Sequence, residues 1–473
     1  MGLVKGKMLN NVAVAAHFKE QDFSKRMTNH VIISPKIKMS MVEIPTPAVV
    51  LERCDIQPSP DTAAELTRPI IHFDMPWFYF HPVQRLLFFD LPCSKPQFLE
   101  TIVPKLKESL TQTLNHFLPL AGNIIQPLDS AGPFFRFAVG DSVSLTIAES
   151  NSDFNHLTGN HPRVSDEFYA CVPQLPPAKH TSDDIVFPVL ALQITLFPDH
   201  GVCFGFTNHH AIGDASSIVR FIKAWASVNK FGDDAKLIDD KLVPYYDRTA
   251  VEDPEGLDKI YWNLIKRSRV VESPPISFPL NKLRQTFVIT KDEVQKLKTS
   301  SRKNGRESTS HLSPSPAPWF GGGNRDGGGR RARVLWLPAD CRGRLNPPLP
   351  AAYFGNCLAF VKAESTHGSL KGNDGFLAAA ECIGEAIQRT VYNEKGILDG
   401  AENWPLEFGK LIGKRLFGVA GSPRFDLYDA DYGWGRPKKF ESPSIDGDTS
   451  MSLCKSRDFE GDWRLVCLDL KRI

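Results

Sequence analysis

The sequence predicts an α/β protein with more than one domain. Amphipathic helical segments and short, apolar, β-rich runs occur along the same chain, and 473 residues correspond to two or three domains of roughly 100 to 200 residues each. Enough apolar side chains are present for packed cores, since 42% of the residues are hydrophobic and 31 are Phe. Such a composition is not that of a disordered chain.

Strands and helices are predicted to alternate in the N-terminal part. A short strand lies within Val42–Pro60, where prolines punctuate an apolar run. Val103–Phe117 is predicted to be a helix, because leucines recur at every fourth position and polar residues take the other face. The FLPLAGN segment that follows, residues 117–123, is predicted to form a buried strand and a turn.

A β-hairpin followed by a helix is predicted in the middle of the chain. Val186–Phe197 and Val202–Thr207 are apolar and rich in β-formers, and the PDHG sequence between them has the composition of a turn. Ile218–Ala226 follows with the apolar period of a helix. A later strand and two later helices are predicted at Gln285–Thr290, Asp292–Ser301 and Phe376–Ile387.

Two domains are predicted, residues 39–238 and residues 271–473, with a crossover connector at residues 239–270. Residues 1–38 are predicted to be a disordered N-terminal extension. They carry seven Lys or Arg against two acidic residues and show no sustained strand or helix period. A targeting segment is the alternative for this part.

Charge, cysteine spacing and hydropathy exclude several classes of protein. The 56 basic and 54 acidic residues nearly cancel, so nucleic acid is not expected as the main partner. The nine Cys form no CxxC pair, which favours reduced thiols over a zinc site or a disulfide scaffold. No apolar stretch approaches the roughly 20 residues of a membrane span. A cytoplasmic protein that does not bind membranes is the expectation.

The strongest candidate for chemistry is His209-His210-Ala211-Ile212-Gly213-Asp214, directly after a buried strand. The sheet holds such a histidine rigidly, and an ordinary pKa of roughly 6.5 suits it to accept a proton at neutral pH. Gly213 permits a sharp turn, so Asp214 can fold back and fix the loop. A metal site made of His200, His209, His210 and Asp214 is the weaker alternative, because no second ligand cluster supports it.

A second motif lies 221 residues further on (431 − 210): Asp431-Tyr432-Gly433-Trp434-Gly435. Two glycines around a tryptophan predict a tight turn that presses a large ring against a neighbouring element. Arg342 and Arg344, in the sequence DCRGRLNPP, are candidates to neutralise a buried carboxylate with two hydrogen bonds. Taken singly, the motif is a loop with a core tryptophan, and each arginine is a surface charge.

In combination, these motifs resemble the plant BAHD acyltransferase family. HHAIGD matches the family's HxxxD motif, and DYGWG matches its DFGWG motif with Tyr432 in place of Phe. Asp74–Phe89 (DMPWFYFHPVQRLLFF) and Pro347–Cys357 (PPLPAAYFGNC) are similar to the branch that acylates anthocyanins and other flavonoid or phenolic glucosides. The resemblance covers nearly everything from Val42 to about Gly461, apart from a segment rich in Pro and Gly.

The resemblance implies two similar chloramphenicol-acetyltransferase-like domains, each a mixed β-sheet flanked by helices, with the active-site channel between them. The implied reaction moves a malonyl or hydroxycinnamoyl group from acyl-CoA to a sugar hydroxyl of the glucoside, without a covalent intermediate. Acyl-CoA is then a co-substrate, and neither a bound cofactor nor a metal is expected. The implied enzyme is a monomer whose partners are acyl-CoA and a phenolic glucoside acceptor.

The resemblance also implies a role for each candidate residue. His210 is the general base that deprotonates the sugar hydroxyl. Asp214 points away from the reaction and pairs with an arginine. Asp431 holds the domains or its loop in place, against Arg342 or Arg344, and Trp434 helps to position the oxyanion.

Two stretches depart from the family pattern, one rich in Pro and Gly and one at the C-terminal end of the sequence. Between His311 and Arg333 the chain has alternating Pro, a Gly run and a basic cluster, which is typical of a flexible linker. A phosphate-binding loop is disfavoured there, because no strand precedes the glycines and no Lys-Ser/Thr follows them.

These stretches have a genetic explanation. Codons for Pro-Trp-Phe-Gly, shifted by one base, can encode Ala-Leu-Val-Trp, and those for DWRLVC can encode Leu-Glu-Ile-Gly. We therefore hypothesise that segments 314–335 and 462–473 are aberrant through a shifted reading frame, which sequencing of the transcript decides. A genuine loop is the alternative. If the stretches are real, a helix beside the acyl-CoA channel and the last element are expected to be lost.

Two other functions stay open beside acyl transfer. The first is a catalytically impaired relative, either a pseudoenzyme or a frameshifted gene product, with at most a binding role. The second, a serine hydrolase, is disfavoured because the sequence has no GxSxG elbow.

Overall fold

The structure is a computed structural model that describes residues 48–60, 64–129, 131–232, 241–266, 282–293, 295–296, 332–371, 375–411, 416–447, 450–458 and 463–469. Its strands are β1 Val49–Ile56, β2 Leu66–Pro69, β3 Val83–Asp90, β4 Asn123–Pro127, β5 Phe134–Phe137, β6 Val143–Glu149, β7 Arg163–Val164, β8 Lys179–His180, β9 Asp184–Pro188, β10 Leu190–Phe197, β11 Gly201–Asn208, β12 Leu283–Ile289, β13 Ala332–Asp340, β14 Leu358–Thr366, β15 Leu416–Ala420, β16 Lys439–Glu441, β17 Met451–Lys455 and β18 Trp463–Asp469.

The α-helices are α1 Lys95–Gln97, α2 Val103–His116, α3 Leu118–Ala121, α4 Phe154–Thr158, α5 Ala215–Phe231, α6 Leu257–Ile265, α7 His367–Lys371, α8 Gly375–Val391 and α9 Trp404–Gly409. A π-helical turn at Phe98–Ile102 joins α1 to α2. Short 3₁₀ turns lie at Met75–Trp77, Ser165–Cys171, His210–Ile212, Arg248–Ala250, Arg342–Arg344, Ala401–Asn403, Leu427–Asp429 and Pro443–Asp446.

The strands form three sheets, and the two larger ones are mixed. The first has the order β1-β6-β10-β11-β3-β16, the second β14-β13-β15-β17-β18-β12-β7, and the smaller third β2-β5-β4-β9-β8. In the first sheet β10 runs parallel to β6 and antiparallel to β11, and in the second β13 runs parallel to β15 and antiparallel to β14. Helices accompany both sheets, so the predicted α/β class is confirmed.

The predicted hairpin is present and forms the centre of the first sheet. β10 pairs with β11 from Phe197↔Gly201 to Leu190↔Asn208, and every residue of both strands is buried. Neighbours cover both faces of these strands, which is why the sequence is apolar almost without interruption. Val186–Phe197 is however not one strand, because β9 belongs to the third sheet and β10 to the first, with Val189 between them.

The helix predicted at Ile218–Ala226 is the longer helix α5. Asp214 caps its N-terminus by accepting a hydrogen bond from the Ser217 amide at 3.2 Å. Gly232 ends it with φ of 85°, a left-handed conformation that glycine adopts at little cost. The predicted helices at Val103–Phe117 and Phe376–Ile387 and the strand at Gln285–Thr290 are also confirmed, as α2, α8 and β12.

The prediction for FLPLAGN is wrong, because Leu118–Ala121 forms the short helix α3 and only the last residue enters β4. A short apolar run does not distinguish a strand from a buried helix. Pro119 lies in the first turn of α3, where its fixed φ and missing N–H are tolerated.

The aberrant segments are only partly described. Residues 301–331 and most of the helix predicted at Asp292–Ser301 lie outside the described residues. The expected loss of the last element is wrong, because β18 pairs with β12 on one side and β17 on the other. Likewise, residues 332–335 belong to β13. The reading-frame hypothesis itself stays a prediction.

The two halves of the chain exchange strands. β16, from the C-terminal half, pairs with β3 of the first sheet, and β7, from the N-terminal half, pairs with β12 of the second. A fully buried charge cluster lies where they meet: Glu441 forms ion pairs with Arg163 at 2.8 Å and with Arg284 at 3.4 Å. Glu441 is completely buried, which works to raise the pKa of its carboxyl, but the surrounding cations hold that pKa below its ordinary value. The predicted domain boundaries stay a prediction.

Two further observations concern the described part of the chain. All eight cysteines whose side chains are described are free thiols. Among the described helices, none combines the length and the apolar character needed to cross a membrane.

The buried charge cluster predicts a large stability effect. Replacing Glu441 by Gln leaves Arg163 and Arg284 buried without a full counter-charge, so we expect the free energy of unfolding to fall by about 3 to 5 kcal/mol. Urea unfolding measures it. The control is Glu149→Gln, which breaks the exposed pair with Lys95 and is expected to change the value by less than ~1 kcal/mol. Equal effects of the two substitutions would contradict a stabilising role for the cluster.

Candidate active site

His210 lies immediately beyond the end of β11, in the first position of a 3₁₀ turn. Its imidazole ring stacks on the indole of Trp77, with ring centroids 4.0 Å apart and planes 7° from parallel. Phe80 contacts the same ring edge-on at 5.4 Å. Two aromatic side chains therefore fix the orientation of the imidazole, and both come from the DMPWFYF segment.

The two ring nitrogens of His210 are in different environments. Nδ1 is buried and has no hydrogen-bond partner in the described part of the protein. The residue as a whole is only half-buried. Nε2 has no hydrogen-bond partner among the described residues and is not fully enclosed by them, so Nε2 is the nitrogen that a substrate can reach. Loss of hydration lowers the pKa of His210 to about 3, and the charge of Arg85 acts in the same direction. At neutral pH the ring is uncharged and can accept a proton.

Asp214 forms a buried, bidentate pair with Arg342. Arg342 Nη1 donates to Asp214 Oδ2 at 2.7 Å, and Nη2 donates to Oδ1 at 3.1 Å. The backbone amide of Cys357 donates to the same carboxylate at 3.2 Å. Burial alone would lower the pKa of Arg342, but the Asp214 carboxylate raises it well above the ordinary value. The predicted pairing of Asp214 with an arginine is confirmed.

Asn356, in the YFGNC motif, fixes the main chain of His210. Its side-chain amide donates to the carbonyl oxygen of His210 at 3.0 Å and to that of Ala211 at 3.2 Å. The same amide donates to Asp74 Oδ1 at 3.1 Å. Asp74 pairs in turn with Arg248 at 3.0 Å, and both side chains are buried. Asn356 therefore joins the turn that carries His210 to the DMPWF segment.

The sequence identified the segments that contain Trp77 and Asn356 but did not predict that these two residues contact His210. Trp77 and Asn356 lay within segments that served only to identify a branch of the family. A buried Asp two residues before a Pro-Trp pair, and an Asn between Gly and Cys, are the signals that could have singled them out.

The DYGWG turn lies at the far end of the helix that Asp214 begins. Asp431 Oδ2 accepts from Lys230, in the last turn of α5, at 2.7 Å, and Oδ1 accepts from the amides of Gly433 and Gly435, each at 2.8 Å. Both glycines have left-handed φ values, 109° and 102°, which favour glycine. Partial burial works to raise the pKa of Asp431, but these hydrogen bonds bring it below the ordinary value.

The partner predicted for Asp431 is wrong. Asp431 does not pair with Arg342 or Arg344: Arg342 binds Asp214, and Arg344 donates to the carbonyl oxygen of Asp340. The sixteen residues from Asp214 to Lys230 separate the two sites by about 24 Å along the helix.

That distance also bears on Trp434, which was expected to position the oxyanion. Its ring stacks on Tyr432 at 5.7 Å and contacts Phe204 and Phe89. In the described part of the chain, the ring contacts of His210 are with Trp77 and Phe80 instead. Trp434 is thus a packing residue of the helix and sheet.

The alternative metal site is not assembled. His200 lies on the exposed hairpin turn, where its Nδ1 is 2.8 Å from the Pro198 oxygen. His209 Nδ1 accepts from the Ala211 amide, and Asp214 is bound to Arg342. The ligand atoms of a different trio, His72, Asp253 and Asp258, converge within 4.8 Å of one another. His72 donates from its backbone amide to Asp258 at 2.6 Å, and Asp253 accepts from amides at the start of α6.

Comparison with known proteins gives the same assignment as the motifs. The model of the Transferase family matches residues 51–472. Malonyl-coenzyme:anthocyanin 5-O-glucoside-6'''-O-malonyltransferase of Salvia splendens is 43% identical over 426 residues, which are 88% of this chain and 91% of that protein. Phenolic glucoside malonyltransferase 1 of Nicotiana tabacum is 44% identical over 86% of this chain and 92% of its own. An Arabidopsis thaliana protein named as a BAHD acyltransferase is 30% identical over 83% of this chain and 89% of its own length.

The chain belongs to the BAHD acyltransferase family. The fold comparison agrees: vinorine synthase superposes with a TM-score of 0.61 at 18% identity, over 89% of this chain and 94% of its own. TRI101 of F. graminearum, solved with coenzyme A and deoxynivalenol, gives a TM-score of 0.54 at 14% identity. The match covers 85% of this chain and 95% of TRI101. At these identities the likeness shows the fold alone. The predicted family and the predicted two-domain BAHD fold are confirmed.

The Trp77 stack predicts the pH dependence of this BAHD protein. A general base works unprotonated, and with a pKa of about 3 His210 stays neutral throughout pH 5 to 8. Trp77→Leu opens the ring to water, so the pKa of His210 should rise toward the ordinary value of roughly 6.5. We expect kcat/KM of the variant to fall as the pH drops through 6, where that of the parent does not.

The matched control is Trp434→Leu, which removes an equally large ring far from His210. Trp434→Leu is expected to lower the stability of the protein without causing kcat/KM to fall as the pH drops through 6. If Trp77→Leu leaves the pH profile unchanged, the stack does not control the protonation of His210.

Proposed function

We propose that this protein is a malonyl-CoA-dependent O-malonyltransferase that acts on a sugar hydroxyl of an anthocyanin or another phenolic glucoside. The relatives named above support both the donor and the acceptor class, since they are named as malonyltransferases of anthocyanin or phenolic glucosides. The chain covers about nine-tenths of the length of these relatives. A hydroxycinnamoyl donor is correspondingly less favoured.

The observation that carries the proposal is the neutral imidazole of His210, with Nε2 accessible and Nδ1 enclosed. Nε2 takes the proton of the sugar hydroxyl as its oxygen attacks the thioester carbonyl. A carbon–oxygen bond forms, the carbon–sulfur bond breaks, and the proton leaves with the thiol of CoA. A base placed in this way typically contributes roughly 10²- to 10⁴-fold to the rate. No bound cofactor is required, because acyl-CoA enters as a co-substrate.

The other predicted site residues support the base without touching substrate. Asp214 and Arg342 close the turn behind His210, so their role is architectural. Asp431, Gly433 and Gly435 fix the far end of α5. Holding both substrates beside one base accounts for much of the remaining rate gain in such a reaction.

Release of CoA with malonyl-CoA and an anthocyanin or phenolic glucoside tests the proposal. The parent protein should release CoA in step with formation of malonylated glucoside, and His210→Ala should lower kcat by at least ~10²-fold because the base is lost. His200→Ala, which changes an exposed histidine ten residues earlier, is the control and should leave kcat unchanged.

Failure of the parent protein to release CoA with any acyl-CoA would favour the catalytically impaired relative instead. Activity that survives His210→Ala would contradict the assignment of the base.

A further inference from the structure

One buried arginine beside the candidate base has no carboxylate partner among the residues that the structure describes. Arg85 lies on β3 opposite Phe206 of β11, on the strand that leads to His210. Its Nη1 donates to Asn208 Oδ1 at 2.9 Å, and Asn208 is the last residue of β11, two positions before His210. The sheet register therefore directs the guanidinium toward the end of the strand where the imidazole lies.

Comparison with the other buried arginines makes Arg85 unusual. In the described part of the chain the buried arginines are Arg85, Arg163, Arg248, Arg284 and Arg342. All except Arg85 form a salt bridge with an aspartate or glutamate, at distances from 2.7 to 3.4 Å. Arg85 forms none with any described residue, although only 8% of its surface is exposed. Burying a charge without a counter-charge costs free energy, so the position of Arg85 needs a physical explanation.

The free part of the guanidinium is accessible. Arg85 Nε and Nη2 have no hydrogen-bond partner among the described residues, yet neither is fully enclosed by protein atoms. An arginine head has five N–H donors in a planar fork that matches the two oxygens of a carboxylate. Arg85 therefore presents unused donors to whatever occupies the space beside it.

The charge of Arg85 is retained and is felt at the base. Burial lowers the pKa of Arg85 only to about 10, which leaves it protonated at neutral pH. Its charge also contributes to lowering the pKa of His210. The two groups thus belong to one electrostatic site.

We propose that Arg85 binds the free carboxylate of the malonyl group and thereby selects the acyl donor. This inference rests on the proposed function, because it concerns the donor of that reaction. In a malonyl thioester a single methylene separates the carboxylate from the reacting carbonyl, so a cation that binds the carboxylate has to lie beside the base. The Asn208 side chain holds the guanidinium through Nη1 and leaves Nε and Nη2 for the substrate.

The test compares two donors that differ only in this carboxylate, malonyl-CoA and acetyl-CoA, with one glucoside acceptor. The parent should strongly prefer malonyl-CoA, because a site that pairs a charge discriminates against the analogue lacking it. Arg85→Gln should lower kcat/KM for malonyl-CoA by about 100-fold or more and that for acetyl-CoA by a much smaller factor. Arg85→Lys keeps the charge but loses the fork, so its preference for malonyl-CoA should be intermediate.

Arg53→Gln, on the exposed edge strand β1, is the matched control and should behave as the parent with both donors. Equal losses with the two donors in Arg85→Gln would overturn the proposal, since they would indicate a structural or general catalytic role. An unchanged donor preference would overturn it as well. If Arg85→Gln does not fold, as thermal unfolding reports, the donor preference of Arg85→Lys decides in the same way.

The failure of the proposed function looks different. In that case the parent protein turns over neither donor, whereas failure of the Arg85 proposal leaves an active parent whose donor preference does not depend on Arg85.

Discussion

The bidentate pair between Asp214 and Arg342 is the interaction on which the candidate site depends. Asp214 follows β11 of the first sheet, and Arg342 follows β13 of the second, so one buried pair joins turns that lie 128 residues apart. An unpartnered carboxylate at this depth would be strongly destabilising, which prevents either turn from moving alone. The position of His210 relative to the C-terminal half of the protein is set by this constraint.

Helix α5 connects the two motifs that identify the family. Asp214 caps its first turn, and Asp431 binds Lys230 in its last turn. A helix is stiff over this length, so fixing both ends fixes the turn that carries His210. The DYGWG motif therefore contributes to the site through the packing of a helix, which explains how a motif at the other end of a helix about 24 Å long belongs to the same constellation as His210.

The sequence correctly predicts those elements of the fold that depend on the local pattern of residues. Apolar strands, the hairpin and the amphipathic helices follow from period and composition, and a histidine at a strand end follows from them. Pairing between distant residues does not: nothing near Asp431 distinguishes Lys230 from Arg342 as its partner. The stack of Trp77 on His210 likewise depends on how a turn after β2 meets the end of β11. Short runs such as FLPLA stay ambiguous because a strand and a buried helix have the same composition.

Burial lowers the pKa of both His210 and Arg85 but leaves the two side chains in different charge states at neutral pH. With a pKa of about 3 His210 is uncharged, and with a pKa of about 10 Arg85 keeps its charge. A carboxylate of the protein bound directly to Arg85 would occupy the donors that a substrate needs. The Asp214 carboxylate, held by Arg342, instead stabilises the charge of Arg85 without forming a salt bridge to it. The same aspartate thus fixes the turn that carries His210 and helps to sustain the charge of Arg85.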